Sequence, residues 1–260
     1  MKLRLFLTAI AGIALCSLPL VAGCGGSDSA TVTPVTANIT RVTESTFSKS
    51  ARILAARDAE ASGATWLSAD FARQADADLA VVRGTFPYVA EITAFPQHDL
   101  RSVLVAVRGD APWLNNWTAG NPTTGEAMLD ALLTEFAPET ITSLGTFDGA
   151  SAAYFTVRFG QSLNMVKLAE RLRNVSANIV AADPNGTVGD GDNIKRLAGS
   201  PNRRYEWSRG SGDCPAGCIN RDTWYFDVSA DGRTVTLVSE GSVSPGIVDL
   251  LSDGKPSHLR

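Results

Sequence analysis

In SAAYFTVRF at 151–159, Ala153, Phe155, Val157 and Phe159 fall on alternate positions, the period of two that a strand with one buried face requires. Working outward, Asp148-Gly149 is a tight turn signal, and TITSLGTF at 140–147 reads as the strand on its other side. SVLVAVR at 102–108 is a further strand. Between it and residue 140, Thr123-Thr124-Gly125-Glu126 has the spacing of a capping box, with Met128, Leu129, Leu132, Leu133 and Phe136 on one helical face and Pro138 as the stop. After residue 159, Asn164 caps a helix carrying Met165, Leu168, Ala169, Leu172 and Val175. Asn178 to Ala182 then forms a last strand, closed by Asp183-Pro184-Asn185-Gly186.

The order β-α-β-β-α-β predicts an α+β protein with a ferredoxin-like core, two helices lying on one face of a four-stranded antiparallel sheet. The other face needs a cover. Two Ala-rich stretches without proline, Thr46 to Glu60 and Ser68 to Arg83, have helical spacing, and either these N-terminal helices or the C-terminal strands would supply it. Tyr88 to Phe95 reads as a short strand ended by Pro96. Beyond residue 186, Arg203 to Ser208, Thr223 to Ser229 and Thr234 to Ser239 read as a C-terminal antiparallel β meander.

Residues 1–23 hold Lys2 and Arg4, no acid, and an apolar run from Leu5 to Leu20, which is the layout of a secretory signal peptide. Val21-Ala22-Gly23-Cys24 resembles the lipobox of bacterial lipoproteins. That resemblance implies cleavage before Cys24, acylation of its thiol and amine, and a lipid anchor in the cell envelope; Gly25 in place of Asp implies the outer membrane where the cell has one. An ordinary secretory signal is the competing reading. Residues 24–40 are rich in Ser, Thr, Gly and Ala, a flexible tether of roughly 22 Å average reach. The folded part then divides into an α+β domain at 41–185 and a β-rich extension with a disulfide loop at 186–260. Without the leader the chain has 21 basic and 27 acidic residues, so no basic stripe exists for a nucleic-acid partner.

Few residues carry chemistry. Cys214 and Cys218, with Pro215 and Gly217 between them, are placed to form a disulfide in an oxidising envelope, with a redox pair or a metal site as the alternatives. Gly189-Asp190-Gly191-Asp192-Asn193 is a solvated turn or, with Asp183, a weak Ca²⁺ site; no other cofactor is indicated. His98 in FPQHD is the single credible base for a hydrolytic triad, and the loop around it reads as exposed. Trp113 and Trp117 in APWLNNW either stack on a sugar or a partner protein, or plug the open end of the sheet.

Two further resemblances bear on function. Leu163 to Asn185 resembles the second half of subtilisin-type protease propeptides, which implies an inhibitor's mode of action. The GDCPAGC segment at 212–218 is similar to the ends of secreted bacterial proteins of unknown function. The sequence therefore predicts an envelope lipoprotein that binds a protein or polysaccharide without catalysis, in a protease-inhibitor-like way on the propeptide resemblance. A carboxylate-dependent hydrolase or carbohydrate-active enzyme is the alternative.

Overall fold

The computed structural model describes residues 39–146, 151–199 and 202–243. The leader, the lipobox with Cys24, the tether to residue 38 and the Asp148-Gly149 turn lie outside them. The chain opens with α1 (Lys49–Ser62), whose N-cap Ser48 accepts the Ala51 N–H at 3.2 Å and whose C-cap Gly63 sits at φ 72°. Helix α2 (Ala69–Thr85) is capped by Ser68 and stops before Pro87. Pro87–Val89 forms a single 3₁₀ turn where a strand is predicted. Val89 and Ile92, both fully buried, are three residues apart, and a turn closed by the Ile92 N–H on the Val89 carbonyl at 3.0 Å brings to one side two side chains that a strand would put on opposite faces.

The predicted β-α-β-β-α-β stretch becomes β1 (His98–Arg108), a short α3 (Leu114–Thr118), α4 (Ala127–Phe136), β2 (Pro138–Thr146), β3 (Ala152–Phe159), α5 (Met165–Val175) and β4 (Ile179–Gly186). The sheet is antiparallel in the order β2-β3-β1-β4. Val103, Val105 and Val107 of β1 and the alternate residues Phe155, Val157 and Phe159 of β3 build one core with Leu129, Leu132, Leu133 and Phe136 of α4 and Met165, Leu168 and Leu172 of α5. Met128, placed on that stripe by its spacing, is 68% exposed. The capping box also fails, because Glu126 is the N-cap residue and makes no side-chain cap. Asp130 does that work from inside the helix, accepting the Thr124 N–H at 2.7 Å and the Gly125 N–H at 2.9 Å.

A second antiparallel sheet follows, a meander of β5 (Asn193–Leu197), β6 (Arg203–Ser211), β7 (Asn220–Val228) and β8 (Val235–Val243) in the order β5-β6-β7-β8. It has one strand more than the sequence reading, β5. Its inner face carries Ile194, Tyr205, Trp207, Phe226 and Val228, all fully buried, against Leu54 of α1 and Ala72, Ala75, Leu79 and Val82 of α2. The N-terminal helices thus cover the second sheet rather than the first. The opposite face of the first sheet keeps Leu104 and Thr142 exposed.

Asp78 of α2, 1% exposed, joins helix to sheet: Arg203 donates to both its oxygens at 2.6 and 2.7 Å, and the Tyr205 hydroxyl donates at 2.8 Å. Burial, with the Asp78 charge, pushes the Tyr205 hydroxyl well up, so it stays a donor. Asp78→Asn leaves a guanidinium and a hydroxyl facing a lost charge in a dry site, and is expected to cost about 3–5 kcal/mol in denaturant unfolding. Asp227→Asn, at the more open Arg204 pair, is expected to cost about 0.5–1 kcal/mol. Equal losses for the two variants would contradict the burial argument.

Candidate functional site

Arg57 lies on α1 one turn before Glu60; both line one cleft, and Arg57 reaches the second sheet's edge strand β5. Its guanidinium donates to the Ile194 carbonyl at 2.5 Å, the Phe95 carbonyl at 2.7 Å and Asn193 Oδ1 at 3.0 Å. Asn193 Oδ1 also accepts the N–H groups of Phe95 and Ile194. Burial pushes the Arg57 guanidinium below its ordinary value, and Glu60 pulls it partly back. This clamp closes one end of an open cleft of about 1070 Å³ between α1, the first turns of α2, and β5. A space of that size is at the upper limit for organic ligands and far too large for an ion.

The cleft's cations are already engaged. Arg196 lies 4.8 Å over the Phe71 ring and donates to Gln74, Lys195 pairs with Glu206 at 3.0 Å, and Arg203 belongs to Asp78. On the α1 wall, exposed Asp58 makes no ion pair among the described residues. Glu60 faces inward, where its Oε1 stands 3.2 Å from His98 Nε2. The sequence places His98 on an exposed loop; instead it starts β1, opposite Gly186, and is 8% exposed. Its Nε2 is buried and off the line of a hydrogen bond to Glu60, so the two groups are neighbours without a hydrogen bond between them. Burial pushes the imidazole below its ordinary 6.5, and Glu60 and Asp99 pull it partly back.

The tryptophans lie elsewhere. Trp113 and Trp117 are 2% and 0% exposed, packed 5.0 Å apart under α3, with Trp117 edge-on to Phe155. Trp113 Nε1 donates to Glu126, which also takes an Asn178 side-chain N–H, so neither indole offers a ring face to a ligand. Cys214 and Cys218 are joined as a disulfide. Its loop rests on the aspartates that the sequence offered to Ca²⁺: the Asp190 N–H donates to the Cys214 carbonyl, the Asp190 carboxylate receives Arg221 at 2.5 Å, and Asp192 receives the Gly210 N–H. Asp183 pairs instead with Arg173 on the first sheet. The three carboxylates do not converge, and among the described residues no group of three or more His, Cys, Asp or Glu is placed to hold a metal ion.

Carboxylates acting as general acids need a raised proton affinity. Among the described residues every carboxylate with a resolved shift moves down: Asp110, Glu126, Asp130, Glu170, Asp190, Asp227 and Asp231. At Asp227 the cause is the Arg204 guanidinium; at Asp190 burial pushes up, and the Gly191 N–H and Arg221 outweigh it. No protein-family model, curated protein or solved structure matches the chain. Sequence reasoning missed Arg57 and Glu60 because, within an Ala-rich helix, they look like ordinary solvated charges.

The depressed His98 has a consequence for stability. Between the folded and unfolded titrations the unfolded chain binds more protons, so stability is full above about pH 6.5 and declines as the pH falls toward the folded value. Thermal unfolding at pH 7.5 and pH 5 is expected to show that decline, and His98→Gln to reduce it. A His98 imidazole resonance titrating above pH 6.5 would sink this reading.

Proposed function

We propose that this chain is a non-enzymatic binding protein of the cell envelope, held to a membrane through acylated Cys24 and presenting the cleft between α1, α2 and β5 to its ligand. The observation that carries the binding reading is the cleft itself: about 1070 Å³, open, and walled by side chains mostly engaged with one another. The nearest base, His98, lies buried behind Glu60 and is not among the side chains lining the cleft. The anchor rests on Val21-Ala22-Gly23-Cys24 after a basic head and apolar run. More than one acyl chain makes such an anchor effectively stable, at about 0.8 kcal/mol per buried CH₂. No described helix is long and apolar enough to cross a membrane.

We read the first sheet as a ferredoxin-like arrangement, supported by its antiparallel order β4-β1-β3-β2 and by α4 and α5 sharing one core with it. Its open face, with Leu104 and Thr142 exposed, favours one second reading, in which that face lies against an envelope protease as a propeptide's does. Leu104→Arg would then abolish inhibition of the protease while leaving the cleft intact. Unchanged proteolysis rates with and without the parent protein would dismiss this second reading.

Two measurements test the main reading. A fatty-acid analogue fed to cells is expected to label the parent and not Cys24→Ala; label in both removes the anchor. A photo-crosslinking residue in place of exposed Ala61, on the cleft wall, is expected to capture a discrete cellular component, while the same residue in place of Thr118 on α3 does not. Equal capture from both positions, or none, removes the cleft as the binding site.

A further inference from the structure

The side chains lining the cleft fix where it runs relative to β5. Ile194 points into the core and Arg196 lies over Phe71, so the even-numbered residues face the helices. Lys195 meets Glu206 on the outer face, where Leu197 must follow by alternation. Yet Lys195, Arg196 and Leu197 all line the cleft. A space touched by residues of both faces runs along the strand's edge, and β5 is an edge strand, paired only with β6.

The backbone is oriented to match. The Ile194 carbonyl accepts Arg57 and the Ile194 N–H donates to Asn193 Oδ1, so both groups point away from β6. In an antiparallel ladder the residue two positions on turns its groups the same way, which aims the N–H and C=O of Arg196 into the cleft. Edge strands are ordinarily blunted. Here β2, β4 and β8 each pair through a register shift, and Arg173 donates to the Ala182 carbonyl of β4. Of the described edge strands only β5 pairs without a shift, and its side-chain cover, Arg57, stops at Ile194.

We propose that the cleft takes an extended peptide as an added strand on β5, beyond the Arg57 clamp, with a Lys or Arg side chain directed at the α1 wall. This rests on the binding reading and names its ligand class. Main-chain pairing to Arg196 supplies register, and alternate side chains meet the two faces. Of the cations lining the cleft, Lys195 and Arg203 are paired with carboxylates and the Arg57 guanidinium is turned to carbonyls, while on the α1 wall exposed Asp58 makes no ion pair among the described residues and Glu60 lies one turn on, so the charge complementary to that wall is positive.

The test uses the full chain in detergent micelles and a fluorescein-labelled heptapeptide, Thr-Lys-Thr-Val-Thr-Lys-Thr, followed by fluorescence anisotropy. Saturable binding is expected, weakened at least tenfold when alternate amides of the peptide are N-methylated, a change that deletes pairing donors and keeps every side chain. Arg196→Pro, which removes the outward N–H, and Asp58→Lys are expected to weaken it similarly. Exchange of the Arg196 amide hydrogen is expected to slow when the peptide is bound, a readout that needs no variant. No saturable binding, or N-methylated peptides that bind within twofold of the parent, overturns the proposal. If the Ala61 crosslinker then captures a polysaccharide, strand addition fails while the binding reading stands; if it captures nothing, both fail.

Discussion

A guanidinium drawn partly out of water needs acceptors to replace it, and Arg57 has two carbonyls and an amide oxygen from two other parts of the chain. Those acceptors belong to the segment feeding β1 and to the first strand of the second sheet, so one side chain sets the spacing between α1 and both sheets. A lysine would reach as far but would offer a point charge in place of a planar fork. Around this clamp the packing divides into two apolar cores, one between the first sheet and α4 and α5, the other between the second sheet and α1 and α2. Backbone bonds sew them together, with Ser162 donating to Val42, Leu163 to Leu100 and Asn164 to Thr65.

The parts of the fold legible in the sequence are those where periodicity is strong and local. Helix α5 lies one residue inside its predicted cap, and β3 shows the alternation of SAAYFTVRF as alternating burial. Illegible parts are decided by distant partners. Strand β5 is five residues long, follows a glycine- and aspartate-rich loop, and owes its place to β6 and Arg57. Glu126 has the spacing of a capping residue, but Trp113 and Asn178 claim its carboxylate. The partner sheet of α1 and α2 could not be read either, because an apolar stripe states that a helix is covered and not by what.

The same holds for the site. Chemistry-bearing residues drew attention in the sequence by type, and the structure uses most of them for architecture: the aspartates at 190 and 192 brace the disulfide loop, and the two indoles fill the core beside α3. A Cβ at Gly210 would run into Cys218 Sγ, so the loop packs close enough that only glycine fits beneath it. What lines the cleft is instead drawn from α1, α2 and β5, an assembly with no signature at any single position.

The pairing of α1 and α2 with the second sheet sets a problem of timing. Asp78 meets Arg203 across 125 positions and Tyr205 across 127, so the helices made first bury their apolar faces only against strands made last. Loop-closure entropy of that kind slows folding and leaves hydrophobic surface uncovered in the interval. The stretch from β1 to β4 finds most of its core partners within itself, with Trp66 and the bonds to Val42 and Thr65 tying it to the segment before it. A chain that emerges N-terminus first would therefore keep the apolar faces of α1 and α2 uncovered until β6 and β7 have followed, and those two faces are where an incompletely made chain is most prone to associate.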